Sequence, residues 1–148
     1  MSTRATELAK LHEAIPVERY RSLVGHWLGG WFKRPRSVAH DPIPTAAAGH
    51  VSIAFGGHAT VLARYDKLAI AFDPIFGGLV GGVRRAVEPG LLAGDFADVG
   101  LVLISHRHAD HLHAPTLRRM PRSATIVVPT GGAAWVSRFG FARVVELQ

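Results

Sequence analysis

The segment Ser105-His106-Arg107-His108-Ala109-Asp110-His111 packs three histidines and an aspartate into six positions. In extended backbone, residues two apart point the same way, so His106 and His108 can face one cation from a single side. Asp110 and His111 follow where the chain bends toward a helix, and they can turn to a second cation. Imidazole nitrogen and carboxylate oxygen suit Zn²⁺, Mn²⁺ or Fe²⁺. Two such ions about 3.5–4 Å apart lower the pKa of a shared water and stabilise both oxygens of a displacement. The chemistry implied is hydrolysis that depends on two divalent ions, zinc first, with manganese or iron as alternatives. The competing explanation is a chance run of histidines on a solvated loop. Its place directly behind an all-apolar stretch, Val99 to Ile104, argues against that.

Such side chains need a rigid frame. Val51, Ile53 and Phe55 alternate with Ser52 and Ala54, and Thr60–Tyr65 and Leu68–Phe72 form two more strand-like runs with a tight turn at Asp66-Lys67. This predicts an antiparallel meander. Residues 77–100 read as a glycine-rich connection with a helical piece around Glu88 to Leu92. Val99 to Ile104 is apolar on both faces, as in a strand buried inside a sandwich. A short helix around Pro115 to Met120 follows, then a strand at Ala124–Val128, a helix from Gly132 to Phe139 stopped by Gly140, and a strand at Arg143–Leu147. Ahead of these lie helical patterns at Thr6–Ile15 and from Val17 to about Leu28, and a proline- and alanine-rich linker from Asp41 to Gly49. The expected organisation is a helical arm and linker over residues 1–49 and an α/β domain over 50–148.

With 148 residues, one domain is expected. The chain has no cysteine, which excludes disulfides and thiolate-ligated zinc. Metal must then be held by histidine and carboxylate. The closest approach to a membrane span, Leu68 to Val83, is broken by Asp73, Pro74 and glycines, and the N-terminus lacks the apolar core of a secretory signal. A cytoplasmic protein is expected. The net charge of +6 favours anionic partners, although it speaks to association rather than to fold. The aromatic and basic cluster from Trp27 to Arg36 fits peripheral contact with a membrane surface, although such aromatics more often pack an arm onto its own domain. Nucleic acid is not the expected partner.

His106 to His111 matches the His-x-His-x-Asp-His signature of the metallo-β-lactamase superfamily. Ala54 to Leu62, Phe72 to Phe76, Ile104 to Leu112 and Arg143 to Leu147 resemble, more narrowly, the branch that contains N-acylphosphatidylethanolamine-hydrolysing phospholipase D. The resemblance runs from about Val51 to the C-terminus. It implies the N-terminal half of an αββα sandwich, with His106 and His108 holding one metal and Asp110 and His111 the other. Asp110 would also orient, or take a proton from, the attacking water. Asp73 would orient a ligand histidine, or else serve as a turn residue before Pro74. His58 would line the pocket, or hydrogen-bond within a glycine turn. His113 reads as a helix-start residue, and His12, His26, His40 and His50 as surface or packing residues.

The family's remaining ligands, a third histidine for the first metal, a bridging aspartate and a further histidine, come from the second half of its sandwich. No Asp or His follows His113 here. The expectation is therefore a truncated or split chain, or a remnant. The resemblance implies metal-dependent hydrolysis of phosphodiesters such as N-acylphosphatidylethanolamine. A lactonase or other ester hydrolase is the alternative, and so is a non-catalytic half-domain that binds metal weakly, self-associates or needs a complementary chain.

Overall fold

The computed structural model describes Gly25, residues 28–31 and residues 33–148. The helical pattern at Thr6–Ile15, most of that from Val17 to about Leu28, and the aromatics Trp27 and Phe32 lie outside the described residues. Contacts divide the chain into two compact units, Met1–Lys33 and Arg34–Gln148.

The second unit is built on one mixed sheet of six strands. Strands β1 (Val51–Gly57), β2 (Thr60–Tyr65) and β3 (Leu68–Phe72) form the antiparallel meander. Its second turn pairs Tyr65 with Leu68 around Asp66-Lys67, and Asp66 takes a positive φ of 53°. The small β4 (Leu79–Val80) and β5 (Val83–Arg84) pair only with each other. Strands β6 (Val99–Leu103), β7 (Thr125–Pro129) and β8 (Arg143–Leu147) then add in parallel beyond β3, giving the order β1-β2-β3-β6-β7-β8. Helices α1 (Ala114–Leu117) and α2 (Ala133–Val136) fill the crossovers, and a 3₁₀ turn at Ser137–Phe139 extends α2 to Gly140, whose φ of 72° ends it.

The glycine-rich connection departs from expectation. No helix forms at Glu88–Leu92. Instead β4 and β5 make a short hairpin, and a 3₁₀ turn sits at Ala93–Phe96. Pro89 and Gly90 inside the expected helix oppose it, while the Gly81-Gly82 pair, both at positive φ, suits a tight hairpin turn.

Period-two alternation explains the packing. Leu62, Ala71, Val102 and Ile126 are paired neighbours across four strands, and each is fully buried. Phe76, Leu91, Phe96, Leu117, Val136 and Phe139 close over this face. The opposite face carries Ile53 (70% exposed) and Phe55 (66% exposed), with Val51, Leu68 and Phe72 also exposed. Strand β6 is accordingly buried on one side through Val99 and Val102, while Leu101 and Leu103 on the other side are half-buried. Among the described residues, no helix is long and apolar enough to cross a membrane.

Candidate metal centre

Three segments leave the sheet at one end: the β1–β2 turn with His58, the end of β3 with Asp73, and the end of β6 with Ser105 and the histidine loop. In open α/β sheets this carboxyl end of parallel strands is where ligands bind. The ladder reaches right to the site, since Asp73 N–H donates to Leu103 O (2.9 Å) and Ile104 N–H to Val127 O (2.9 Å). The loop then coils, with the amides of His111 and Leu112 both donating to His108 O.

Asp73 is buried, takes a φ of 39°, and organises the loop. Its Oδ1 accepts from the Ser105 amide at 2.8 Å, and its Oδ2 from the Ser105 hydroxyl at 2.6 Å and from His111 Nδ1 at 2.8 Å. Its own carbonyl accepts from Thr60 Oγ1, which in turn accepts from the Ile75 amide. A carboxylate can only accept, so the proton of neutral His111 lies on Nδ1 and the Nε2 lone pair faces the site. With its proton committed to Asp73, the Ser105 hydroxyl accepts from His106 Nδ1, 3.0 Å away, which leaves His106 Nε2 as an acceptor too. Sequence reasoning had two roles for Asp73, strand-end turn and histidine-orienting carboxylate, and the geometry places it in both positions. It missed Ser105, whose one signal was its place between the apolar strand and the first histidine.

The donor atoms converge. His106, His108 and Asp110 offer atoms all within 4.8 Å of one another, and so do His58, Asp110 and His111. His58 Nε2 is 3.4 Å and His111 Nε2 3.6 Å from Asp110 Oδ2. Ligands about 2.0–2.1 Å from a tetrahedral ion stand roughly 3.3–3.5 Å apart, so this nitrogen and oxygen set fits a divalent metal ion. The rings of His106 and His111 lie 3.7 Å apart between centroids, and those of His106 and His108 4.8 Å. For Asp110, desolvation pushes the carboxyl up, but its backbone amide and the nearby His111, His58 and His106 outweigh that and hold it below the ordinary aspartate value. Gly81 packs on this carboxylate: a Cβ there would sit 3.1 Å from Asp110 Cβ, and φ is +55°.

The other histidines stand apart. His113 precedes α1 at its N-cap, with Nδ1 2.9 Å from Thr116 Oγ1, and burial followed by the charge of Arg85 lowers its pKa. His40 and His50 meet backbone carbonyls through Nδ1, while His12 and His26 lie outside the described residues. Beside the donors opens a cleft of about 850 Å³, reaching from His58 and Asp110 to Val80, Val83, Arg84 and Val87. Arg85 also lines it, its guanidinium held by the carbonyls of Gly77 and Ile75.

A family model described as a β-lactamase superfamily domain matches residues 69–148. The 4-amino-L-phenylalanyl-[CmlP-peptidyl-carrier-protein] 3-hydroxylase of Streptomyces venezuelae is 28% identical over 135 residues, 80% of this chain and 24% of that protein. N-acyl-phosphatidylethanolamine-hydrolyzing phospholipase D 1 of Caenorhabditis elegans is 28% identical over 92 residues, 57% of this chain and 26% of its own. Among solved structures, a possible metal-dependent hydrolase from Veillonella parvula superposes with a TM-score of 0.53 at 21% identity, covering 64% of this chain and 41% of that one. CmlA, a diiron β-hydroxylase from Streptomyces venezuelae, superposes with a TM-score of 0.51 at 25% identity, covering 72% and 22%. The chain thus spans about a quarter to a third of the curated relatives it matches.

Proposed function

Because this chain belongs to the β-lactamase superfamily, we propose that it carries the metal-holding part of a hydrolase acting on phosphodiesters, N-acylphosphatidylethanolamine among them. The observation that carries this is the meeting of the His106, His108, Asp110 and His58, Asp110, His111 donor sets at Asp110, which lines the cleft together with His58. His106 and His108 would hold one divalent ion, and Asp110 and His111 a second; zinc, manganese and iron all suit these donors. When bound, such ions supply Lewis acidity and an activated water.

The chain's own residues do the positioning. Asp73 and Ser105 fix the imidazole tautomers so that unprotonated Nε2 atoms face the site. Asp110 offers a carboxylate oxygen that can orient water or take its proton. Val80, Val83 and Val87 present an apolar wall, and Arg84 and Arg85 bring positive charge to the same cleft. An anionic ester with an apolar tail matches that combination, and the phospholipase among the relatives supports it.

The test is hydrolysis, with added zinc or manganese, of a chromogenic phosphodiester, of vesicles containing N-acylphosphatidylethanolamine, of a lactone and of a β-lactam. Phosphodiesters should be turned over fastest, and a His106→Ala, His108→Ala double variant should lose both metal and turnover. A lactone preferred by a wide margin refutes the substrate class. Metal uptake without turnover of any substrate refutes catalysis by this chain and favours a half-domain that works with a complementary chain.

A further inference from the structure

His58 lies in the turn between β1 and β2, nearly fifty positions before the histidine loop, yet its side chain enters the same site. Its backbone adopts a φ of +57° directly after Gly57 at +86°. A left-handed conformation is uncommon for any residue but glycine, although Asn, Asp and His enter it more often than most. Glycine would meet the turn's backbone demand at no cost, and a side chain kept in that conformation is often one that a site must aim.

Its aim is specific. Nε2 is 3.4 Å from Asp110 Oδ2, the oxygen that His111 Nε2 approaches to 3.6 Å. The rings of His58 and His111 are 5.3 Å apart, tilted by 57°, so the two nitrogens converge without stacking. His111 is braced from behind by Asp73, and Asp110 is backed by Gly81. Two of the three donors are thus held in place before any ion arrives, and the third comes from a different strand pair.

Building on the metal-centre reading above, we propose that His58 is a ligand of the second divalent ion. With Asp110 and His111 it completes a three-donor site supplied entirely by this chain. The sequence pattern alone assigned only Asp110 and His111 to that position. A third protein donor turns an open two-point contact into the ligand number typical of a zinc site that keeps one position for water or substrate. It also ties the β1–β2 turn to the histidine loop.

The experiment is a cobalt titration of the 148-residue chain followed by visible absorption, with zinc competition for affinity and ¹⁵N shifts of the histidine side chains. His58→Gly removes the imidazole and suits the positive φ, and His58→Asn is a second variant that tolerates it. The parent should show the His58 Nε2 resonance shifting on zinc addition. Both variants should keep the parent's thermal midpoint without metal, and should bind the second equivalent of cobalt more than about tenfold more weakly, since even an outer partner of a ligand is worth that much. Free imidazole should restore part of the cobalt spectrum of His58→Gly. Affinity within about threefold of the parent and an unchanged spectrum in both variants overturn the role of His58 while leaving the metal centre standing. A parent chain that takes up no cobalt overturns both.

Discussion

Replacing Asp73 by Asn is the sharpest perturbation of the site, because it changes one proton pattern and almost no volume. The Asp73 carboxylate is buried and accepts three hydrogen bonds, from the Ser105 amide, the Ser105 hydroxyl and His111 Nδ1. An amide keeps a single acceptor oxygen. If that oxygen replaces Oδ2, the new NH₂ meets the Ser105 N–H and leaves it unsatisfied, at about 1–3 kcal/mol. If it replaces Oδ1, the NH₂ meets His111 Nδ1 and the ring must move its proton to Nε2, the nitrogen that faces Asp110. The second arrangement keeps the Ser105 amide paired, so it should dominate, and it removes the lone pair an ion needs. We expect the metal-free Asp73→Asn protein to lose no more than about 1–3 kcal/mol in urea unfolding. Its affinity for cobalt or zinc should fall about 10–100-fold, equivalent to about 1.4–2.8 kcal/mol. Imidazole ¹⁵N shifts should report the His111 proton on Nδ1 in the parent and on Nε2 in the variant. An unchanged tautomer together with unchanged affinity would refute the claim that Asp73 orients His111.

Glu146 accepts from the Ala133 amide at 2.8 Å and, helped by the amides of Gly131 and Gly132, stays below the ordinary glutamate value. Because its pKa is lowered on folding, its contribution is present above the unfolded value and fades as pH falls through the folded one. Glu146→Gln should therefore destabilise near neutral pH and match the parent in acid, as read by urea midpoints across pH; a gap that widens in acid would contradict this. Ile126→Ala, at the centre of the buried row, should cost about 2–5 kcal/mol by chemical denaturation, and a loss under 1 kcal/mol would mean that the row is not the core. The apolar face around Ile53 and Phe55 is expected to drive self-association: light scattering should give a mass that rises with concentration and falls in an Ile53→Lys, Phe55→Lys variant, with folding unchanged. A parent that stays monomeric at high concentration would refute it.

The strands could be read from the sequence because their periodicity is local. Alternation in Val51–Phe55 and the Asp66-Lys67 turn are properties of neighbouring residues, and β8 falls at Arg143–Leu147 as expected. The hairpin of β4 and β5 was missed because two-residue strands offer no alternation to count, and the expected helix at Glu88–Leu92 rested on composition that Pro89 and Gly90 override. The histidine loop was legible because four donors lie within six residues. The assignment of His58 was not, since it depends on a turn conformation and on the register that brings β1–β2 beside β3 and β6.

That register gives Asp73 a place in the fold as well as in the site. Through its amide it continues the β3–β6 ladder, through its carbonyl it holds Thr60 at the start of β2, and through its carboxylate it fixes Ser105 and His111. One residue therefore couples the ends of three strands to the orientation of the metal-facing imidazoles. A site assembled from loops alone would have to order those loops when an ion arrives and would bind it more weakly for that cost. Here the sheet, through Asp73, has already ordered the loop that carries His106 and His111, while exposed His58 and half-exposed Asp110 line the cleft beside it.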